Sequence, residues 1–122
     1  MHEVSLVRSL LNQVERLCEA HGGTAVTDVE VEIGPLSGVE PLLAREAFAL
    51  LVADFGWPAA ELTIEEVPLM AICQSCGAEV TVESFRFECP GCGSRSLKVT
   101  RGDQFRLLNV TLETATPMEP AS

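Results

Sequence analysis

Residues 1–70 carry apolar side chains at two different periods. Between residues 4 and 20 these side chains recur three or four positions apart, which predicts an amphipathic helix. From 28 to 33 acidic and apolar residues alternate, as expected of a half-buried strand. Helical periodicity returns from 41 to about 55, and a second strand is predicted over 62–67. The first half of the chain therefore has the predicted order helix, strand, helix, strand.

The second half of the chain contains a cysteine-rich segment followed by a third strand. That strand is predicted over 105–113, and two short strands are predicted inside the cysteine-rich segment, over 79–82 and 97–100. The residues from 114 to 122 include two prolines, and we expect them to form a disordered tail. This order of elements predicts an α+β fold: a small sheet of about three strands with two helices, and a module inserted before the last strand.

The charge is distributed unevenly and supports the same division. The 122 residues carry 18 acidic and 8 basic side chains, a formal net charge of −10. Residues 1–70 hold 12 acids and 3 bases, whereas residues 71–100 hold three of each. We therefore place one domain at 1–70 with 101–113 and a second at 71–100. The acidic surplus is unfavourable for binding nucleic acid or an anionic membrane surface.

Two absences in the sequence bear on where the protein works. The chain has no stretch of about 18 apolar residues, so we expect no membrane-spanning helix. Its first residues lack the continuous apolar segment of a signal peptide. We therefore expect a cytoplasmic protein with reduced thiols, in which paired cysteines are more often metal ligands or redox groups than disulfides.

Four of the five cysteines form two C-x2-C pairs separated by twelve residues. The pairs are Cys73 with Cys76 and Cys89 with Cys92. Two such pairs can point four sulfurs at one ion, the tetrahedral set preferred by structural zinc, with no position left for a catalytic water. Residues 71–100 are therefore predicted to form a zinc-binding module of the zinc-ribbon type. An iron site and a dithiol redox pair are the alternatives.

The chain begins Met1-His2-Glu3, which is a second candidate metal site. Because His2 is large, we expect Met1 to be retained and His2 to stay at position 2. The α-amine, an amide nitrogen and the His2 imidazole could then chelate one metal, and the Glu3 amide nitrogen would complete a planar set. Square-planar nitrogen ligands favour Ni(II) or Cu(II) over zinc. The alternative is a solvated histidine without a metal role.

Together, these motifs resemble those of one known family. The N-terminal Met-His-Glu, the segment from Ile33 to Pro41 (IGPLSGVEP), the two cysteine pairs and the segment from Gly102 to Arg106 (GDQFR) are similar to HypA/HybF. These proteins are the nickel metallochaperones of [NiFe]-hydrogenase maturation. The resemblance covers about residues 1–113.

The resemblance implies a nickel-binding α+β domain and a separate domain that holds one structural zinc ion. It implies that Ni(II), the cargo, binds at Met1, His2 and Glu3, and that zinc binds the four paired cysteines. The implied partners are a HypB-type GTPase and the [NiFe]-hydrogenase large-subunit precursor. We expect a monomer or a weak homodimer. We expect no enzymatic activity, because the sequence contains no recognisable nucleophile–base arrangement.

Other functions and residue roles remain open on the sequence alone. A zinc-ribbon adaptor without metal cargo would act through protein–protein contacts, and a thiol redox protein would use one of the cysteine pairs. Cys18 lies on the apolar face of the first helix and is interpreted as a core residue. His21 is interpreted as a helix-end group rather than a second nickel ligand, and Glu40 as the capping partner of Ser37.

Overall fold

The computed structural model describes residues 2–114, which divide into two compact units. The first, here called the helical unit, comprises residues 2–31, Glu40–Ile64 and residues 106–114. The second, here called the cysteine unit, comprises Glu32–Val39 and Glu65–Phe105. The cysteine unit is therefore larger than the predicted module, since it also includes the turn that precedes the second helix.

The described residues form two helices and six strands. In chain order the elements are α1 (His2–Ala20), β1 (Gly23–Ile33), α2 (Pro41–Leu51), β2 (Glu61–Glu66), β3 (Leu69–Cys73), β4 (Glu79–Val82), β5 (Leu97–Arg101) and β6 (Phe105–Thr114). One three-stranded sheet has the order β2-β1-β6 and the other the order β4-β3-β5. The predicted α+β class, with two helices and a three-stranded sheet, is confirmed.

The apolar face of α1 supplies much of the core of the helical unit. Its buried residues are Val7, Leu10, Leu11, Val14 and Cys18, which recur at the helical period predicted from the sequence. The apolar alternation of β1 and the inner side of α2 complete this core, with Val29 and Phe48 both buried. Cys18 is 6% exposed, so its interpretation as a core residue is confirmed.

The predicted end of α2 is wrong by four residues. The helix ends at Leu51, with Val52 as its C-cap, and the chain then continues to Gly56 through turns whose N–H groups bond to the third residue before them. Trp57 follows, buried at 7% exposure and stacked on Phe55 with ring centroids 5.4 Å apart. Within these turns Val52 is buried and Phe55 is partly buried, so their apolar pattern resembles that of a continuing helix.

The cysteine unit contains a strand that the sequence did not predict. In its sheet, β4 and β5 both run antiparallel to the central strand β3, with Ile72 opposite Glu79 on one side and opposite Lys98 on the other. The two short strands were predicted, but β3 was not. The expectation of a tail starting at residue 114 also needs correction, because Thr114 is the last residue of β6. The rest of that segment, 115–122, lies outside the described residues.

Neither helix in residues 2–114 is long and apolar enough to span a membrane.

Candidate metal sites

The four paired cysteines converge on one point in the cysteine unit. Their sulfur atoms all lie within 4.8 Å of one another, and no other group of His, Cys, Asp or Glu side chains in residues 2–114 is placed to hold a metal ion. The Sγ atoms of Cys73 and Cys92 are 3.6 Å apart, and those of Cys76 and Cys89 are 3.7 Å apart. A tetrahedral ion with metal–sulfur bonds of about 2.3 Å separates its sulfurs by about 3.8 Å. The sulfur positions therefore fit a zinc ion.

The two turns that carry the sulfurs have the same backbone geometry. In the first, Cys73 N–H donates to the Ala78 carbonyl at 2.9 Å and Gly77 N–H donates to the Cys73 carbonyl at 2.8 Å. In the second, the equivalent bonds from Cys89 to Ser94 and from Gly93 to Cys89 are both 2.8 Å. Each turn therefore repeats the same ring of hydrogen bonds around its first cysteine.

Each turn closes at a glycine in the left-handed backbone region. The φ angles of Gly77 and Gly93 are 79° and 77°, which side chains with a Cβ adopt only at a cost. A Cβ at Gly77 would meet no atom within 4 Å. The requirement for glycine is therefore conformational, not a matter of space.

Hydrogen bonds outside the sulfurs tie the two turns together. The hydroxyls of Ser75 and Ser94 lie 2.9 Å apart, and the Ser96 hydroxyl donates to the Gln74 side-chain oxygen at 2.9 Å. The Gln74 N–H also donates to the Ser96 carbonyl at 2.8 Å. The two halves of the sulfur cluster are therefore held in register by side chains as well as by the sheet.

The thiols differ in acidity because their surroundings differ. A backbone N–H from Cys76, 3.5 Å from the Cys73 sulfur, holds the pKa of the Cys73 thiol down at about 6. The pKa of Cys92 is raised to about 12: a hydrogen bond from the Ser94 backbone opposes the rise, but the Cys73 sulfur and burial outweigh it. The pKa of Cys76 is also raised, by the sulfurs of Cys73 and Cys89 against a hydrogen bond from the Ala78 backbone.

The sulfur cluster lies beside a small apolar core. Cys73 and Cys89 are buried against one face of the sheet, whereas Cys76 and Cys92 are exposed. The buried apolar neighbours are Leu69, Ala71, Val80 and Val82, with Phe87, Leu97 and Val99 packed against them. A core of this size gives limited stability, so a bound metal would contribute folding free energy. Four thiolates also fill a tetrahedral shell, which suits a structural ion rather than a catalytic one.

The second candidate site lies at the start of α1, in the helical unit. His2 is the first residue of the helix and is exposed, and Glu3 is half-buried behind it. Met1 lies outside the described residues, so the three predicted ligands are not observed as a set. Because the first N–H groups of a helix have no partner within the helix, the amide nitrogens of His2 and Glu3 are not needed for the hydrogen bonds of α1.

A hydrogen bond between the two helices holds Glu3 in place. Its Oε2 accepts from the backbone N–H of Glu40 at 3.3 Å. Hydrogen bonds from its own N–H and from the Glu40 N–H hold the pKa of Glu3 below its usual value. These hydrogen bonds hold the Glu3 carboxylate in place next to the predicted nickel ligand His2, and they favour its charged form.

Glu40 has a different role from the one predicted. It is itself the N-cap of α2, and its Oε1 accepts from the N–H groups of Leu42 and Leu43 at 3.1 and 3.2 Å. The Ser37 hydroxyl instead accepts from Val39 N–H at 3.2 Å. The spacing of Ser37 and Glu40 indicated a capping box, but nothing in the sequence indicated that the Glu40 backbone would bond to Glu3.

His21 lies at the opposite end of α1 from His2. Its Nδ1 is 2.9 Å from the Leu17 carbonyl in the last turn of α1, and the His21 backbone N–H donates to the same oxygen at 3.1 Å. Nineteen residues of helix separate the two histidines by about 28 Å at 1.5 Å per residue. The two side chains therefore cannot bind one ion within this chain, and the interpretation of His21 as a helix-end group is confirmed.

The protein thus consists of two units. One is helical and exposes His2 at the start of α1, and the other is built around four thiols, which together are the features of a metal-handling factor. A family model described as "Hydrogenase/urease nickel incorporation, metallochaperone, hypA" matches residues 1–112. The hydrogenase maturation factor HypA of Aquifex aeolicus is 39% identical over 113 residues, covering 93% of this chain and 98% of that protein. The HypA of Nitrosospira multiformis is 37% identical over 114 residues, covering 93% and 99%.

Solved structures agree with the fold. The solution structure of the nickel metallochaperone HypA from Helicobacter pylori aligns with a TM-score of 0.69 at 24% identity, over 92% of this chain and 97% of that one. A second HypA solution structure aligns with a TM-score of 0.71 at 25% identity, over 92% and 96%. The chain belongs to the HypA family, which is a family of hydrogenase maturation factors and metallochaperones rather than of enzymes.

Proposed function

We propose that this protein binds Ni(II) at its N-terminus and delivers it during the maturation of a [NiFe]-hydrogenase. The family match over residues 1–112, which begins at the Met-His-Glu sequence, is the observation that carries this proposal. The exposed position of His2 at the start of α1 supports it, because a cargo site must be accessible to the proteins that load and unload it.

The proposed nickel ligands belong to Met1, His2 and Glu3. The α-amine of Met1, the His2 amide nitrogen and imidazole, and the Glu3 amide nitrogen provide four nitrogens in sequence, a set that favours Ni(II) over zinc. Coordination by amide nitrogens requires the first turn of α1 to open locally. That opening would break no backbone-to-backbone hydrogen bond of the helix, although it would release the Glu3 N–H from the Glu3 carboxylate.

The proposed zinc site has a structural role. Cys73, Cys76, Cys89 and Cys92 would hold one Zn²⁺, and its four thiolate bonds would lock the two similar turns to each other. The ion would supply folding free energy to the cysteine unit and would take no part in nickel exchange. This separation explains why one chain needs two metal sites: soft sulfur ligands retain zinc, whereas nitrogen ligands at a chain end release nickel.

Delivery would proceed by ligand exchange with partner proteins. The proposed partners are a HypB-type GTPase, which would supply nickel, and the hydrogenase large-subunit precursor, which would receive it. Because amine and imidazole bind protons as well as metals, nickel affinity should fall on acidification. A site at the end of a helix can also be approached by a second protein without moving the core.

A transfer experiment tests the delivery step. Protein loaded with radioactive nickel is mixed with the purified large-subunit precursor, and nickel on the precursor is measured after the two are separated. We expect transfer that is faster than from the same concentration of nickel bound to a small chelator of matched affinity. Equal rates from the protein and the chelator would contradict a delivery function, and would favour a zinc-ribbon adaptor without cargo.

A further inference from the structure

The second helix exposes more apolar surface than a short helix on a small protein usually does. Leu42, Leu43 and Leu50 are 61%, 45% and 67% exposed, although α2 has only 11 residues. Isolated exposed leucines are common on protein surfaces, whereas exposed apolar side chains that form one contiguous patch mark a binding surface. The question is therefore which of them form a continuous site.

Two of these leucines line a groove between α1 and α2. The groove has a volume of about 220 Å³ and is lined by Glu3, Val4, Leu43, Glu46, Ala47 and Leu50. Its α2 residues fall at relative positions 0, 3, 4 and 7, which is one face of a helix. The buried Ala47 forms the floor between the two exposed leucines. We call these six residues the α1–α2 groove; Leu42 lies on the same helix but outside it.

The charges on the groove specify what fits it. Among its lining residues, the ionisable side chains are the carboxylates of Glu3 and Glu46, and none is basic. The Glu3 carboxylate is fixed by the Glu40 N–H, so it offers a negative charge in a defined place. An apolar side chain seated over Ala47 would be flanked by acid, and its neighbours would therefore need to be lysine or arginine.

We propose that the α1–α2 groove is the docking site for a basic, amphipathic segment of a protein that exchanges nickel with this chain. The segment would place an apolar side chain between Leu43 and Leu50, as a helix does in a hydrophobic groove, and would pair its basic residues with Glu3 and Glu46. The groove includes Glu3, which follows His2 directly, so a partner bound there lies beside the nickel. This inference rests on the proposed function for the location of the nickel.

The test compares variants inside and outside the groove. Leu43→Ser and Leu50→Ser remove the groove walls, and Leu42→Ser is the matched control on the same helix. All three side chains are exposed, so the variants should keep the wild-type circular dichroism. We expect the affinity for the HypB-type GTPase or for the large-subunit precursor, measured by calorimetry, to fall at least about tenfold for the two groove variants, the effect of losing an interface anchor. Leu42→Ser should stay within about twofold of wild type.

A charge test separates the electrostatic part of the proposal. Glu46→Lys should weaken binding and flatten its dependence on salt concentration, whereas Glu19→Lys, with the same change in net charge at the far end of α1, should do neither.

Three results would overturn the inference. The first is that both groove variants bind both proteins with wild-type affinity. The second is that Leu42→Ser weakens binding as much as the groove variants do. The third is that the wild-type chain binds neither protein. The nickel proposal fails separately, since it depends on nickel stoichiometry. We expect Leu50→Ser to bind nickel normally and His2→Ala to keep docking in the absence of nickel.

Discussion

The Glu3 carboxylate accepts a hydrogen bond from the backbone N–H of Glu40 at 3.3 Å, across 37 positions of the sequence. The same Glu40 caps α2 with its side chain, accepting from Leu42 and Leu43 N–H. One residue therefore organises the start of α2 and holds the side chain that follows the predicted nickel ligand His2. The position of the candidate nickel site depends on how the two helices pack, and not on the N-terminal sequence alone.

This relationship predicts the titration of Glu3. Because hydrogen bonds lower its pKa in the folded chain, their contribution to stability is present above the carboxyl pKa of the unfolded chain. It is lost as the pH falls through the lower, folded value. In an NMR titration of the zinc-loaded, nickel-free protein, the Glu3 side-chain carbon should show a midpoint below that of the same residue in the urea-unfolded chain. Equal midpoints would show that the bond to Glu40 is not formed in solution.

The two glycines that close the cysteine turns provide a second prediction. Gly77→Ala and Gly93→Ala each force a Cβ into the left-handed region, at a cost of about 1–2 kcal/mol, which is roughly a five- to thirtyfold loss of zinc affinity. Competition with a chromophoric chelator measures this loss. The matched control is Gly91→Ala, whose backbone is not left-handed and whose added Cβ would lie 3.8 Å from the Cys89 sulfur, an ordinary contact. A Gly91→Ala loss as large as that of Gly77→Ala would mean that space, not backbone conformation, limits the turn.

Zinc binding should release protons in an amount that the thiol environments set. With a pKa of about 6, Cys73 is already ionised at pH 7 in the metal-free chain, whereas Cys76 and Cys92 have raised pKa values and remain protonated. All four ligands bind zinc as thiolates. Calorimetry in buffers of different ionisation enthalpy should therefore show at least two protons released per zinc at pH 7, and an apparent affinity that increases with pH. Release of fewer than two protons would contradict this assignment.

The sequence was sufficient to predict the four-cysteine site, but it did not predict every strand of the cysteine unit. Each C-x2-C pair is a local pattern, so the spacing was enough to predict the four-sulfur site in which Cys73 and Cys92 meet. In β3, by contrast, Leu69, Ala71 and Cys73 are buried while Met70 and Ile72 face outward. Because the outward residues are also apolar, no alternation marks this strand, and only the tertiary fold defines it. The bond between Glu3 and Glu40 is hidden for a related reason, since a backbone donor has no sequence signature.

Nickel stoichiometry tests the central claim most directly. Zinc-loaded protein with an untagged N-terminus is titrated with Ni(II) by absorption spectroscopy and equilibrium dialysis, in the wild type, in His2→Ala and in the matched control His21→Ala at the other end of α1. We expect one nickel per chain in the wild type and in His21→Ala, none bound tightly in His2→Ala, and one zinc per chain in all three. Nickel bound by His2→Ala with wild-type stoichiometry and affinity would contradict an N-terminal nickel site.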